Sequence, residues 1–317
     1  MKALIIGAAG FVGPYLAEAV RNNLKCETVV TKRPGTRTDI PGVQIRDLDI
    51  MDEGAILPLL QDEHPYYIFH LAAQSSVSRS WKDPGLTVNV NVKGTLNLLD
   101  AVRQLEYKPK VLMAGSGEEY GYIDPDEIPI KEEQFLRPGN IYAATKAGQN
   151  MMASVYAQAY NMQLVMTRSF NHMGPGQSPV FVVSDFCRQA VRIEKGLQDP
   201  VIRVGNLSSK RDFTDVRDVV NAYTALIQFG VPGETYNVGT GKAIEIRSLL
   251  DKIIELSSAK IDVEVDKAKL RPVDVPVIEP DMTKMYKATG WTPAIPLEQT
   301  IKDMLDHYRC HDELLND

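Results

Sequence analysis

Tyr142 and Lys146 stand four residues apart in Ile141-Tyr-Ala-Ala-Thr-Lys146, downstream of a Gly7-Ala-Ala-Gly10-Phe-Val-Gly13 loop. Positions four apart on a helix share a face, so the Lys146 ammonium can sit beside the Tyr142 phenol. A free phenol titrates near ~10 and is a poor acid or base at neutral pH. A nearby cation favours phenolate, and a shift of about 3 units needs ~4 kcal/mol of favourable field, which a partly dry cleft can supply. Such a pair suits proton transfer at a carbonyl or alcohol, and the glycine loop adds a nicotinamide dinucleotide as hydride partner. Tyrosine and lysine at this spacing also occur on solvated helices; the loop separates the two readings.

Glycines 7, 10 and 13 follow the apolar run Lys2-Ala-Leu-Ile-Ile, where a strand turns into a helix expected from about Val12. One glycine permits the turn, one lets the backbone approach a pyrophosphate, and one lets helix meet sheet, with Phe11 and Val12 completing the cofactor loop. The spacing is Gly-x-x-Gly-x-x-Gly. At the end of the second strand, where an acid usually serves the ribose hydroxyls of NAD, the chain offers Thr31-Lys32-Arg33. Cations there suit a 2′-phosphate, so NADP(H) is preferred, with NAD(H) as the alternative; solvated loop cations are the plainer reading. Asp49 follows the third strand and can accept from the adenine amino group, or serve as a turn aspartate.

The elements that position these groups alternate. Apolar runs at Glu27 to Thr31, Val43 to Arg46, Tyr67 to Ala72, Val111 to Gly115 and Gln163 to Ser169 are separated mostly by helical stretches, among them Pro84 to Leu105 and Ile141 to Tyr160. The pattern predicts an α/β, Rossmann-like doubly wound parallel sheet. Beyond Ser169, Gly and Pro punctuate shorter elements, which predicts a cofactor domain over 1–170 and a smaller C-terminal α/β substrate-binding region over 171–317. The strand Thr235 to Gly239 is a candidate to return to the main sheet. The two long helices, the first of them apolar at Val88, Val92, Leu96 and Leu99, either pack on their own sheet or pair two subunits.

Composition narrows the partners. Among 317 residues, 44% are hydrophobic and the charge is 35 − 41 = −6, so the cationic excess of a nucleic-acid binder is lacking. Cys26, Cys187 and Cys310 are odd in number and scattered, with no pairing or zinc-like spacing, so no metal site is expected and a reducing, cytoplasmic setting is. The N-terminal apolar run is too short for a secretion signal, and no apolar stretch reaches the ~20 residues that span a bilayer.

With these residues in view, the chain resembles the extended short-chain dehydrogenase/reductases of the nucleotide-sugar branch nearly end to end. The resemblance is carried in order by the glycine loop, His70-Leu-Ala-Ala73, Asn91-Val-Lys-Gly-Thr95, Ser116 before Tyr120-Gly121, Tyr142 to Lys146, Arg168 to Gln177 and Arg211 to Asp218. Gly115-Ser-Gly-Glu-Glu-Tyr-Gly121, Asn171 to Pro179 and Leu270 to Pro276 are most similar to its GDP-sugar 4-ketoreductases. The resemblance implies a homodimer that reduces the C4 ketone of GDP-4-keto-6-deoxy-D-mannose to GDP-D-rhamnose with NADPH. Tyr142 is then the general acid, Ser116 holds the carbonyl oxygen, Lys146 holds the nicotinamide ribose and Asn91 supports Lys146. Leu71, Ala72 and Ala73 line the cofactor. Arg211 and Arg271 grip the diphosphate, Asn171 and Ser75 meet the sugar, and Pro179 to Val183, Val182 included, offers backbone amides.

Glu118 complicates this reading, because 4,6-dehydratases place a C5 base there. The rival is therefore a GDP-mannose-type dehydratase or an epimerase, which consumes no net cofactor. Gly117 replaces the acid of many dehydratases, which GDP-mannose dehydratases lack too; the stronger departure is Met173-Gly-Pro-Gly-Gln177 in place of their Ser-Pro-Arg-Arg-Gly run. A non-catalytic NADP(H) sensor is a remote third reading, disfavoured by the presence of Tyr142.

Overall fold

The computed structural model describes residues 1–269 and 275–316. Six parallel strands come from the first half: β1 (Lys2–Ile6), β2 (Glu27–Lys32), β3 (Gln44–Asp47), β4 (Tyr67–His70), β5 (Lys110–Met113) and β6 (Gln163–Ser169). Between them run α1 (Val12–Ala19), α2 (Glu53–Glu63), α3 (Val77–Lys82), α4 (Pro84–Val88), α5 (Gly94–Arg103) and α6 (Ile141–Tyr160). The second half adds β7 (Asn171–Met173), α7 (Val182–Glu194), β8 (Val201–Val204), β9 (Lys210–Asp215), α8 (Val216–Phe229) and β10 (Thr235–Val238). It closes with β11 (Ala243–Glu245), α9 (Ile246–Leu256), β12 (Asp262–Val265), β13 (Val277–Ile278), α10 (Thr283–Thr289) and α11 (Leu297–Cys310).

The main sheet has strand order β10-β6-β5-β4-β1-β2-β3, parallel throughout. Strand alternation splits β1 between two cores. Ala3 and Ile5 face α1 and α8 through Leu16, Val219 and Leu226; Leu4 and Ile6 face α2, α5 and α6 through Leu60, Leu98 and Ala157. Each fully buried Leu or Ile contributes about 1.5–3 kcal/mol, so both layers are firmly seated. The strand order reverses at β1, and a crevice opens at the carboxyl ends of the strands there.

β10 joins β6, so α8 and β10 belong to the sheet layer although they follow residue 170. A third core gathers α7, α9 and α11 over β8 and β9, and β9 carries β7, β11 and β13. The stretch predicted as one helix over 84–105 starts at Pro84, capped by Asp83, and ends at Arg103. At Asn89–Lys93 it loosens into a π turn, which places Asn91 inside. The third strand lies one residue later than expected, and the fourth ends at His70, where Leu71 leaves to run past the glycine loop. Among the described residues, no helix is long and apolar enough to cross a membrane.

Candidate active site

The crevice is a cavity of about 1130 Å³ whose wall includes both halves of the chain. Its cofactor end is built on the three glycines. Gly7 has φ +87°, and a Cβ there would lie 2.6 Å from Ala72 Cα; at Gly13 a Cβ would lie 1.9 Å from the Ala8 carbonyl oxygen. At Gly10 a Cβ would meet only the Gly7 carbonyl oxygen, at 4.0 Å. The outer glycines thus serve the fold, whereas Gly10 faces open space. Phe11 precedes α1 without a side-chain cap, which leaves the amides at the start of this helix for an anion. Leu71, Ala72, Ala73, Ser75, Val12, Arg33 and Asp49 line the same cavity. Lys32 lines it too, with its ammonium 2.5 Å from Asp47, and Asp49 also accepts from the Met51 amide at 3.0 Å.

Ser116 lies just beyond β5, and its hydroxyl accepts from the Glu118 amide at 3.2 Å. Asn140 caps α6 through the Ala143 amide at 2.8 Å, which fixes Tyr142 and Lys146 in the first two turns, both buried and both on the cavity wall. The Lys146 ammonium donates to the Ala114 carbonyl at 2.6 Å and to Gln149 Oε1 at 3.0 Å. This corrects the expectation that Lys146 pulls the phenol down. Burial pushes Tyr142 well above its ordinary value, the Ser116 hydroxyl pulls it back, and Glu118, Glu119 and Tyr223 push it further up. Burial likewise lowers Lys146 to about 8, against the charge of Glu119.

Asn91 sits one residue-layer behind the reacting pair, beside Thr145 of α6. It is fully buried and outside the cavity wall; its amide donates to the Gln74 carbonyl at 3.1 Å and to Thr145 Oγ1 at 3.0 Å, and its Oδ1 accepts from the Gln74 amide at 2.8 Å. With these bonds made it anchors α6 to the 74–76 loop. Glu118 does line the cavity, where Oε2 accepts from Asn140 at 3.2 Å.

The other end of the cavity carries Asn171, Val182 and Arg211. Val182 opens α7, whose preceding residue Phe181 provides no side-chain cap, and Arg211 donates to the Lys210 carbonyl at 2.8 Å. Arg271 lies outside the described residues.

A family model described as GDP-mannose 4,6 dehydratase matches residues 4–304. The chain belongs to this family. Its relatives include a GDP-6-deoxy-D-mannose reductase of Pseudomonas aeruginosa, 29% identical over 97% of both chains. A GDP-mannose 4,6-dehydratase of Yersinia enterocolitica is also 29% identical, over 96% of this chain and 92% of the relative. The solved structure of RMD from Pseudomonas aeruginosa complexed with NADPH superposes with a TM-score of 0.86 at 29% identity, covering 98% of this chain and all of that one. The chain is thus an oxidoreductase-type enzyme of the nucleotide-sugar dehydratases and reductases.

Within this family frame, several wall residues carry no local sequence signal. His172 stacks on Phe11 at 6.2 Å and 4°, and Tyr15 donates to the Pro175 carbonyl at 2.7 Å, so the loop after β7 is tied to the glycine loop across about 160 residues of chain. Gln177, Phe181, Tyr223 and Lys269 line the cavity as well. The Arg168 to Gln177 and Asn171 to Pro179 motifs and the Pro179 to Val183 segment pointed toward this region, but nothing in the sequence marked Tyr15, Tyr223 or Lys269.

Proposed function

We propose that the chain reduces the C4 ketone of GDP-4-keto-6-deoxy-D-mannose to GDP-D-rhamnose with NADPH, NADH being the weaker donor. The observation that carries this reading is that Ser116, Tyr142 and Lys146 share one cavity wall with the glycine loop. Ketone reduction takes a proton from the phenol as hydride arrives. Dehydration and epimerisation begin by oxidising an alcohol, which requires a base.

The glycine loop fits a dinucleotide, since Gly10 is open and the start of α1 has amides to offer. Lys32 and Arg33 at the adenosine end support NADPH, as does the likeness to an NADPH-bound structure. When bound, the reduced nicotinamide supplies the hydride. The chain does the rest: Ser116 donates to the ketone oxygen and orients it, and Tyr142 passes its proton to that oxygen as C4 becomes tetrahedral. Lys146, held by the Ala114 carbonyl and Gln149, is by resemblance the group that holds the nicotinamide ribose. Asn171, Arg211, the amides near Val182 and, by resemblance, Arg271 and Ser75 hold the GDP-sugar.

Glu118 supports a second reading, a 4,6-dehydratase, because its carboxylate reaches the cavity. Against it, Met173-Gly-Pro-Gly-Gln177 stands where GDP-mannose dehydratases carry a Ser-Pro-Arg-Arg-Gly run. Purified protein given the ketosugar and NADPH is expected to oxidise one NADPH per ketone; GDP-mannose conversion with no net change in NADPH identifies a dehydratase instead. We also read the protein as a cytoplasmic homodimer that pairs through α5 and α6, where Met151 and Val155 are 62% and 61% exposed, and residues 171–317, apart from α8 and β10, as its substrate region.

A further inference from the structure

Behind the catalytic wall lies a buried polar cluster that the chemistry above does not use. Glu119, in the turn Gly117–Tyr120, is fully buried. Its Oε1 accepts from the Ser116 amide at 2.8 Å and from Asn150 Nδ2 at 2.8 Å, and its Oε2 accepts from Asn150 Nδ2 at 2.9 Å and from Arg168 Nε at 3.0 Å. Arg168 donates onward to the Tyr120 hydroxyl at 3.1 Å and to the Glu132 carbonyl at 2.9 Å; that hydroxyl donates to Asn237 Oδ1 at 2.6 Å. The cluster therefore joins the Ser116 turn to α6, β6 and β10.

Taking a carboxylate and a guanidinium out of water is costly, and apolar residues often fill such a space at no loss of stability. Asn150 adds to the cost: its amide group faces Glu119, and its Oδ1 is buried with no partner. Stability alone does not account for this arrangement. Two links tie it to the reacting groups. Glu119 accepts from the backbone of Ser116 itself, closing a reciprocal cap with the Ser116 hydroxyl. Among the described residues, Glu119 is also the one charged group that acts on Lys146 against burial.

We infer that Glu119 is a positioning residue of the reaction: its carboxylate fixes the Ser116 turn and is the countercharge that keeps Lys146 an ammonium. This rests on the reductase reading above. The titratable groups around Glu119, Lys146 and Tyr142 are Arg168 on β6, Tyr120 and Glu118 on the turn, His70 on β4 and Tyr223 on α8. Arg168 balances Glu119, and His70 is kept neutral by burial, so neither replaces the carboxylate as the charge that favours the ammonium. Neutralising Glu119 lowers the proton affinity of Lys146, whose ammonium loses an attractive charge, and of Tyr142, whose phenolate loses a repulsive one. Both changes move the alkaline limit of function to lower pH.

The test follows NADPH binding by fluorescence without sugar, and turnover of the ketosugar, across pH for the full-length wild type, Glu119→Gln and Glu119→Asp. In E119Q the alkaline loss of NADPH affinity is expected to move down by about 1 unit or more. Its kcat falls by about tenfold or more near pH 8 while KM for the sugar changes by less than about threefold. E119D keeps the charge but withdraws it from the Ser116 amide, so its kcat falls while its alkaline limb stays with the wild type. E119Q curves that superpose on the wild type overturn the inference. So does E119D with a displaced limb and normal kcat, and this second variant decides alone if E119Q does not fold. A wild type that binds NADPH yet leaves the ketosugar untouched sinks the reductase reading, and the binding curves still judge Glu119.

Discussion

Gly10→Ala separates what the glycine loop does for the fold from what it does for a ligand. An added methyl meets no protein atom closer than the Gly7 oxygen at 4.0 Å, and Gly10 has no positive φ. In the folded protein the methyl costs little, while the unfolded chain loses freedom, so stability rises by about 0.4–1 kcal/mol. For a chain of this size that is roughly 1–3 °C in Tm. The same methyl projects into the cavity where the loop meets a dinucleotide, and pushing a pyrophosphate off the amides of α1 weakens it by about tenfold or more, or ~1.4 kcal/mol. Thermal unfolding of the apoprotein and NADPH titration by fluorescence read the two effects separately. By contrast, Gly13→Ala places its methyl 1.9 Å from a carbonyl oxygen and is expected to unfold the protein. A Gly10→Ala protein that binds NADPH as tightly as wild type refutes the assignment of this loop to the cofactor.

Tyr142→Phe is expected to lower kcat by about 10²–10⁴-fold while NADPH affinity stays within about twofold; near-normal turnover in steady-state assays removes Tyr142 as the acid. His70, buried against Thr95, is lowered from 6.5 to about 3, chiefly by burial and then by the Lys146 charge. A depressed pKa means the unfolded chain binds the proton first, so this stability is complete above pH 6.5 and drains as pH falls toward 3. Between pH 6.5 and 5 that amounts to about 2 kcal/mol, read by urea unfolding at the two pH values; a His70→Gln protein with the same pH slope contradicts it. Val155→Glu, on the exposed face of α6, is expected to yield monomers in analytical ultracentrifugation, and an unchanged dimer excludes that face as the interface.

The parallel sheet was legible because β1, β2, β4, β5 and β6 are buried on both faces and read as continuous apolar runs. Helix α6 was legible to the residue, since Asn140 caps it and Asn161, at φ 52°, ends it. Side-chain direction was not. Spacing put Lys146 on the face of Tyr142, yet it could not show that the Ala114 carbonyl, which emerges from β5, captures the ammonium. Nor could it show that Asn91 is consumed by Gln74 and Thr145, because that depends on a π turn with no sequence punctuation. Glu119 was passed over beside Glu118 for the same reason: which of two adjacent acids faces the cavity and which faces Arg168 is set by the turn, and only the fold brings β6 behind it.

The most direct measurement traces hydrogen. NADPH carrying deuterium at the transferable position is mixed with GDP-4-keto-6-deoxy-D-mannose and the protein, and the sugar is examined by NMR and mass spectrometry. The account predicts one deuterium per product, at C4 of GDP-D-rhamnose, with O4 protonated from Tyr142. Label retained on the cofactor, or delivered to any other sugar carbon, contradicts it.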